Sequence, residues 1–224
     1  MTMFSLPVFS SRKRGSMAKA LLWIPAFAGM TIGGCQERLE RQQATAPTVV
    51  SLNPCSDAVL AEVLPRERLL AISHYSHDPA GTSMDLALAR TLRATGGTVE
   101  EVLALDPDIV VGSAFMPPAT RAALERTGVR VVTLGIASSV AESQRQVRQL
   151  AAAVGEAERG RALARRMGDA VAEMEARRRA KPVATVLWQP GGIVPGEQTL
   201  VGELMRRAGL ASHTAARGMR QADY

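Results

Sequence analysis

The sequence predicts an α/β fold: two Rossmann-like lobes with parallel sheets, joined by a long backbone helix, the second lobe incomplete. Three observations lead there. Short apolar runs of strand type alternate with amphipathic helices through the first half of the folded body, the pattern of a parallel sheet covered on both faces. A charged stretch with helical apolar spacing follows from Val140. A fresh strand then begins directly after Lys181-Pro182, where proline ends the helix.

Taken in order, Val49-Val50-Ser51-Leu52 reads as the first strand, and Asn53-Pro54 as an N-cap with proline at the first helical position of a helix to about Leu64. Leu69 to Ser73 is the second strand, Asp85 to Leu92 a helix, and Thr98-Val99-Glu100-Glu101 a capping box opening another. Asp108 to Val111 and Arg130 to Leu134 supply two more strands, with the helix Pro118 to Thr127 between them. In the charged stretch, Val147, Leu150 and Val154, then Leu163, Met167, Val171 and Met174, mark apolar stripes. Gly155 and Gly160 are expected to divide it into two helices, the second running to Arg179. Ala184 to Trp188 is a strand, Gln189-Pro190-Gly191-Gly192 a turn, and Leu200 to Ala208 a helix closed by Gly209. One strand and one helix cannot cover both faces of a sheet. The expectation is therefore a fragment of a longer protein, divided into residues 1–34 as signal peptide, 35–47 as tether, 48–139 as the N-terminal lobe, 140–180 as the helical linker, and 181–224 as a partial C-terminal lobe.

Charge and composition exclude several classes. The 224 residues are 46% hydrophobic and 21% charged, ordinary values for a folded protein. Arg12, Lys13, Arg14 and Lys19 precede Cys35 with no acidic residue among them, so four of the six net positive charges belong to a leader. The remaining body has no basic stripe with interleaved aromatics of the kind a nucleic-acid surface needs. That leader continues through the apolar run Ala20 to Met30 into small residues, the order of a secretory signal. Pro25 and Gly29 interrupt the run, which is shorter than the roughly 20 apolar residues of a membrane span. Ile32-Gly33-Gly34-Cys35 resembles a bacterial lipobox, which would make Cys35 a lipid-anchored N-terminus, and residues 36–47 a polar tether to the membrane. The alternative is a disulfide between Cys35 and Cys55, the two cysteines of the chain. With Cys35 acylated, Cys55 is expected to be a buried residue at a helix start.

No phosphate-cradling loop follows a strand, and there is no nucleophile elbow, HExxH or paired CxxC. No enzyme activity and no resident cofactor are expected. The chemically richest segment is Ser73-His74-Tyr75-Ser76-His77-Asp78-Pro79, after the second strand, where loops at carboxyl ends line the ligand crevice of an open α/β sheet. It admits three readings: ligand-lining polarity, direct metal ligation by His74, His77 and Asp78, or a hydrolytic pair of His77 with Ser51 or Ser73. His213 is expected to be a surface residue. In a chain with 4% aromatics, Tyr75 and Trp188 stand at strand ends, where their rings can stack on a flat macrocycle or a catecholate.

The stretches Val49 to Pro54, Ile72 to Pro79, Gly96 to Asp108 and Gly128 to Val131 together resemble the helical-backbone periplasmic binding proteins that serve iron-siderophore, haem and cobalamin importers. The likeness runs from about Thr48 to Ser212, with Val186 to Gln189 and Gly196 to Gly209 similar to the second lobe's strand, loop and helix. It implies two lobes joined by a rigid helix, with a corrinoid or an iron complex held between them and delivered to an ABC permease and its ATPase. Ser51, Asn53, His74, Tyr75, Ser113 and Trp188 are the implied ligand contacts. Tyr75 looks like the cobalamin-stacking tyrosine, whereas Ala94 and Ser113 stand where cobalamin-binding members carry tryptophans. Glu100 looks like the glutamate that pairs with permease arginines on docking; its second-lobe counterpart would lie beyond Tyr224.

Overall fold

The computed structural model describes residues 46–178 and 180–222. The signal peptide, Cys35 and most of the tether lie outside the described residues.

A five-stranded sheet forms the first body, from β1 (Val49–Ser51), β2 (Leu69–Ser73), β3 (Ala94–Thr95), β4 (Ile109–Ser113) and β5 (Arg130–Leu134). All its pairings are parallel, and the strands stand in the order β3-β2-β1-β4-β5. Successive strand residues point to opposite faces, so each valine pair feeds two cores. Val49, Ile109 and Val111 pack with Leu60, Val63 and Leu150 on one side; Val50, Ala71 and Val110 pack with Val102 and Leu124 on the other. Helices α1 (Pro54–Val63) and α2 (Leu86–Thr91) thereby share one face, and α3 (Val99–Leu103) and α4 (Pro118–Arg126) the other.

Local chemistry sets the boundaries. Asn53 caps α1 by accepting the Cys55 amide at 2.9 Å, with proline at the next position. Thr98 caps α3, accepting the Glu101 amide at 3.2 Å. Asp85 caps α2, accepting the Leu88 amide at 2.8 Å. These three starts agree with the sequence to within a residue.

Two long helices follow, α5 (Val140–Ala153) and α6 (Ala157–Ala176). Gly155, at φ +83°, makes the reversal between them, a conformation that favours glycine. Gly160 was expected to break the helix and does not. It lies inside α6 against Ala151, where an added Cβ would stand 2.3 Å from the alanine Cβ, so its role is close packing of the two helices. Arg159 Nη1 donates to the Val63 carbonyl at 3.0 Å, and the Arg68–Glu156 ion pair holds the reversal against the first body.

A second, two-stranded parallel sheet pairs β6 (Val183–Thr185) with β7 (Leu210–Ser212), flanked by α7 (Leu200–Arg207) and α8 (His213–Ala216). The expected strand through Trp188 stops at Thr185 because β7 offers three partner residues and no more. The Glu203 carboxylate accepts the Val140 amide at 2.8 Å, and Arg207 reaches Glu175 at 2.9 Å, tying α7 to both long helices. Among the described residues, no helix is long and apolar enough to cross a membrane.

Candidate functional site

In this strand order the chain reverses direction across the sheet between β1 and β4, and ligand crevices of open α/β sheets form outside the carboxyl ends of strands at such a point. Asn53 and Ser113 flank the reversal. The turn after β2 adds His74 and Tyr75, and the turns after β4 and β5 add Phe115 and Ile136.

The turn His74–His77 is a single 3₁₀ turn. Its start is capped by Ser73, whose hydroxyl accepts the Tyr75 amide at 3.3 Å. The His74 and Tyr75 side chains project outward, with ring centroids 4.0 Å apart and planes inclined by 35°. Tyr75 is 57% exposed. His74 Nδ1 lies 3.3 Å from the Thr95 carbonyl, which orients the ring by accepting its N–H.

The other half of the turn faces inward. His77 Nε2 is 3.0 Å from the Ala89 carbonyl and 3.2 Å from that of Leu92, so it carries the proton and donates to the end of α2. Asp78 caps its own loop, accepting the Ala80 amide at 2.9 Å. His74, His77 and Asp78 therefore do not converge, and no group of three metal-ligating side chains forms among the described residues. Among the described residues His77 bonds to the Ala89 and Leu92 carbonyls and to no serine hydroxyl, so the geometry of a hydrolytic pair does not form there.

Ser51 is fully buried and shares a 2.8 Å hydrogen bond with Ser56 beneath the crevice floor, which removes it from the ligand-facing surface. Asn53 and Ser113 keep partial exposure; the Ser113 hydroxyl accepts the Phe115 amide at 3.1 Å and shapes its turn. Trp188 is 71% exposed in the loop after β6. Glu100 stands exposed on α3, one residue before Glu101, whose carboxyl the Thr95 hydroxyl and then the Gly96 amide hold below its usual range. Cys55 is exposed rather than buried, since it lies in the first turn of α1, whose core face is Ser56, Asp57, Leu60 and Val63. His213 is exposed at the start of α8, as expected.

Three residues that sequence reasoning missed complete the picture. Phe115 and Ile136 are 74% and 76% exposed, each two residues past a strand end. A bulky apolar residue two positions past a strand end was the available signal. Asp57 is fully buried beneath the His74–Tyr75 turn, where its carboxylate accepts the Ser73 amide at 3.0 Å and the Ser76 hydroxyl at 2.7 Å. Helical spacing with Leu60 and Val63 already placed it on the core face. A cavity of about 930 Å³ is lined by Asn53, Ser113, Phe115, Ile136, Val147 and Met167, among others. The cavity is largely apolar, with Asn53 and Ser113 among its polar groups, a surface suited to holding a molecule. Of the predicted contacts, Ser51, His74, Tyr75 and Trp188 are not among its lining residues.

Residues 49–224 match the family described as periplasmic binding protein. Comparison with curated proteins returns no match. Among solved structures, the chain is similar to the periplasmic heme-binding protein RhuT from Roseiflexus sp. RS-1 in apo form, with 23% identity over 80% of this chain and 70% of that one, and a TM-score of 0.63. It is similar to the periplasmic heme-binding protein HutB of Vibrio cholerae, with 17% identity, 80% and 70% coverage, and a TM-score of 0.67. A possible iron-binding, periplasmic solute-binding protein from Staphylococcus epidermidis ATCC 12228 superposes with a TM-score of 0.64 at 13% identity, covering 80% of this chain and 71% of that one. The chain belongs to the periplasmic binding protein family, extracytoplasmic solute-binding proteins of ABC importers rather than enzymes.

Proposed function

We propose that this protein captures a flat iron chelate, haem first among the candidates, in the crevice at the carboxyl ends of its strands, and presents it to an ABC permease. The observation that carries the reading is the concentration of exposed apolar rings and chains at strand ends. Phe115 and Ile136, each more than half exposed, line the cavity of about 930 Å³, while Tyr75 and Trp188, also more than half exposed, stand in the turns after β2 and β6 outside its lining. Exposed apolar groups beside a concave apolar surface suit a ligand. A porphyrin-like plane gains apolar contact from such side chains, while the Tyr75 phenol and the His74 imidazole offer oxygen and nitrogen to a ferric centre.

Support for haem over a corrinoid comes from two directions. The similar structures from Roseiflexus and Vibrio carry heme-binding in their names. Ala94 is half-buried in β3 and Ser113 is occupied in a turn, so neither supplies the ring that a corrinoid-binding crevice would use there. Glu100, exposed on α3, is the proposed contact to permease arginines, and acylated Cys35 the proposed anchor to the membrane.

Titration of the purified protein with hemin, cobalamin and a ferric catecholate siderophore, followed by absorbance and tryptophan fluorescence, tests the assignment. The expected result is saturable one-to-one binding of hemin, weakened at least about tenfold by the double replacement His74→Ala, Tyr75→Ala, the equivalent of about 1.4 kcal/mol. Tight cobalamin binding with none of hemin would reassign the ligand. A folded protein that takes none of the three would remove the reading.

A further inference from the structure

Asp57 is a carboxylate beneath the His74–Tyr75 turn, fully buried, and among the described residues it has no ion pair and its Oδ1 lacks a hydrogen-bond partner. A buried charged group without a cation opposes folding, and an apolar residue at a core position on α1 would pack there without that cost. What the carboxylate does is local. Its Oδ2 accepts from the Ser73 amide at 3.0 Å and from the Ser76 hydroxyl at 2.7 Å, the two residues that bracket His74 and Tyr75. One oxygen thus holds both ends of the short segment that carries the exposed His74 and Tyr75 side chains.

The rest of the turn is fastened from other directions. The Asp78 amide donates to the Tyr75 carbonyl at 3.2 Å, and Gly81 lies so close to that carbonyl that an added Cβ would stand 2.8 Å from its oxygen. His77 is tied to the end of α2. Among the described residues the buried charged groups are Asp57 and Arg68, and neither hydrogen-bonds to the turns that carry Phe115 and Ile136.

We propose that Asp57 is a positioning residue for the ligand: through Ser73 and Ser76 it fixes the His74–Tyr75 turn so that both exposed rings are held in place at the carboxyl end of β2. The proposal rests on the chelate-binding reading of that crevice. It assigns Asp57 no contact with the ligand; a flexible turn would bind more weakly because ordering it would accompany binding.

The test compares wild type with Ser76→Ala, Asp57→Ala and Asp57→Asn, using hemin as the probe, thermal melting to establish folding, and hydrogen exchange of residues 73–78 without ligand. Ser76→Ala is expected to fold and to weaken hemin binding about fivefold to twentyfold, the loss of one charge-assisted hydrogen bond. Asp57→Ala, if folded, weakens it further, and both variants exchange faster at residues 73–78. Asp57→Asn, which retains an acceptor oxygen, restores most of the affinity and the wild-type hemin absorption band. Should Ser76→Ala and any folded Asp57→Ala bind hemin with wild-type affinity and band, Asp57 is not a positioning residue, though the crevice reading stands. Wild type that takes neither hemin nor another iron chelate overturns both.

Discussion

Asp57 also makes the crevice floor sensitive to pH. Burial raises its carboxyl from the ordinary 3.8 to about 6, against the opposing pull of the Ser51 and Ser76 hydroxyls, the Ser73 amide and the His77 charge. The folded protein therefore keeps this proton at pH values where the unfolded chain has lost it. The contribution of Asp57 to stability is most favourable below about pH 4 and declines as pH rises through about 6. Urea unfolding of wild type and Asp57→Asn across pH 4 to 7 should show the variant gaining on wild type by up to about 3 kcal/mol, two units at 1.36 kcal/mol each. Parallel profiles would contradict it. At this scale the sequence displayed Tyr75, His74 and Trp188 by their place at strand ends, but it left open which way each histidine turns. His74 and His77 are three residues apart on one turn and face opposite ways, because the carbonyls of Ala89 and Leu92 draw His77 inward. Those carbonyls belong to a helix end that no local pattern near His77 announces.

The long helices were legible because their periodicity is sustained, and short elements such as β1 and α3 because an apolar run or a cap marks them; β3 and β7 were not. β3 has two residues and β7 three, too few for alternation to register, and both exist because a neighbouring parallel strand offers hydrogen bonds. Gly160 shows the reverse error, a glycine read as a breaker that tertiary contact retains in a helix. Its Cβ-free surface lets α5 and α6 approach, so Gly160→Val should lose about 1–3 kcal/mol to overpacking, read as a lower urea midpoint. An unchanged midpoint would mean the two helices can separate freely. Glu203 couples α7 to the long helices. Its burial alone would raise its carboxyl, but the Val140 amide and the Arg207 and Arg206 charges prevail and lower it. A lowered folded value means this link is present above the unfolded value of 4.5 and weakens as pH falls through the folded one. Glu203→Gln should therefore melt below wild type at pH 7, with the gap closing in acid. A gap independent of pH would assign the effect to packing instead.

Across the whole molecule, charge and architecture separate two functions of one chain. Residues 1–34 carry four of the six net positive charges, while the described body presents an apolar cavity lined by residues of α1, α5 and α6, by Leu200 and by the turns after β4 and β5. Cys35→Ala should abolish incorporation of labelled palmitate and release the protein from membranes in a bacterial host; labelling that persists would refute lipidation at that cysteine. The binding claim itself is tested most directly by hydrogen exchange of the full chain with and without hemin, resolved along the sequence. The account predicts protection confined to the strand-end turns at residues 52–55, 73–77, 113–116, 134–137 and 186–192, with the far edge of the sheet unchanged. Saturable hemin binding that leaves those turns unprotected, or protection centred elsewhere, would contradict it.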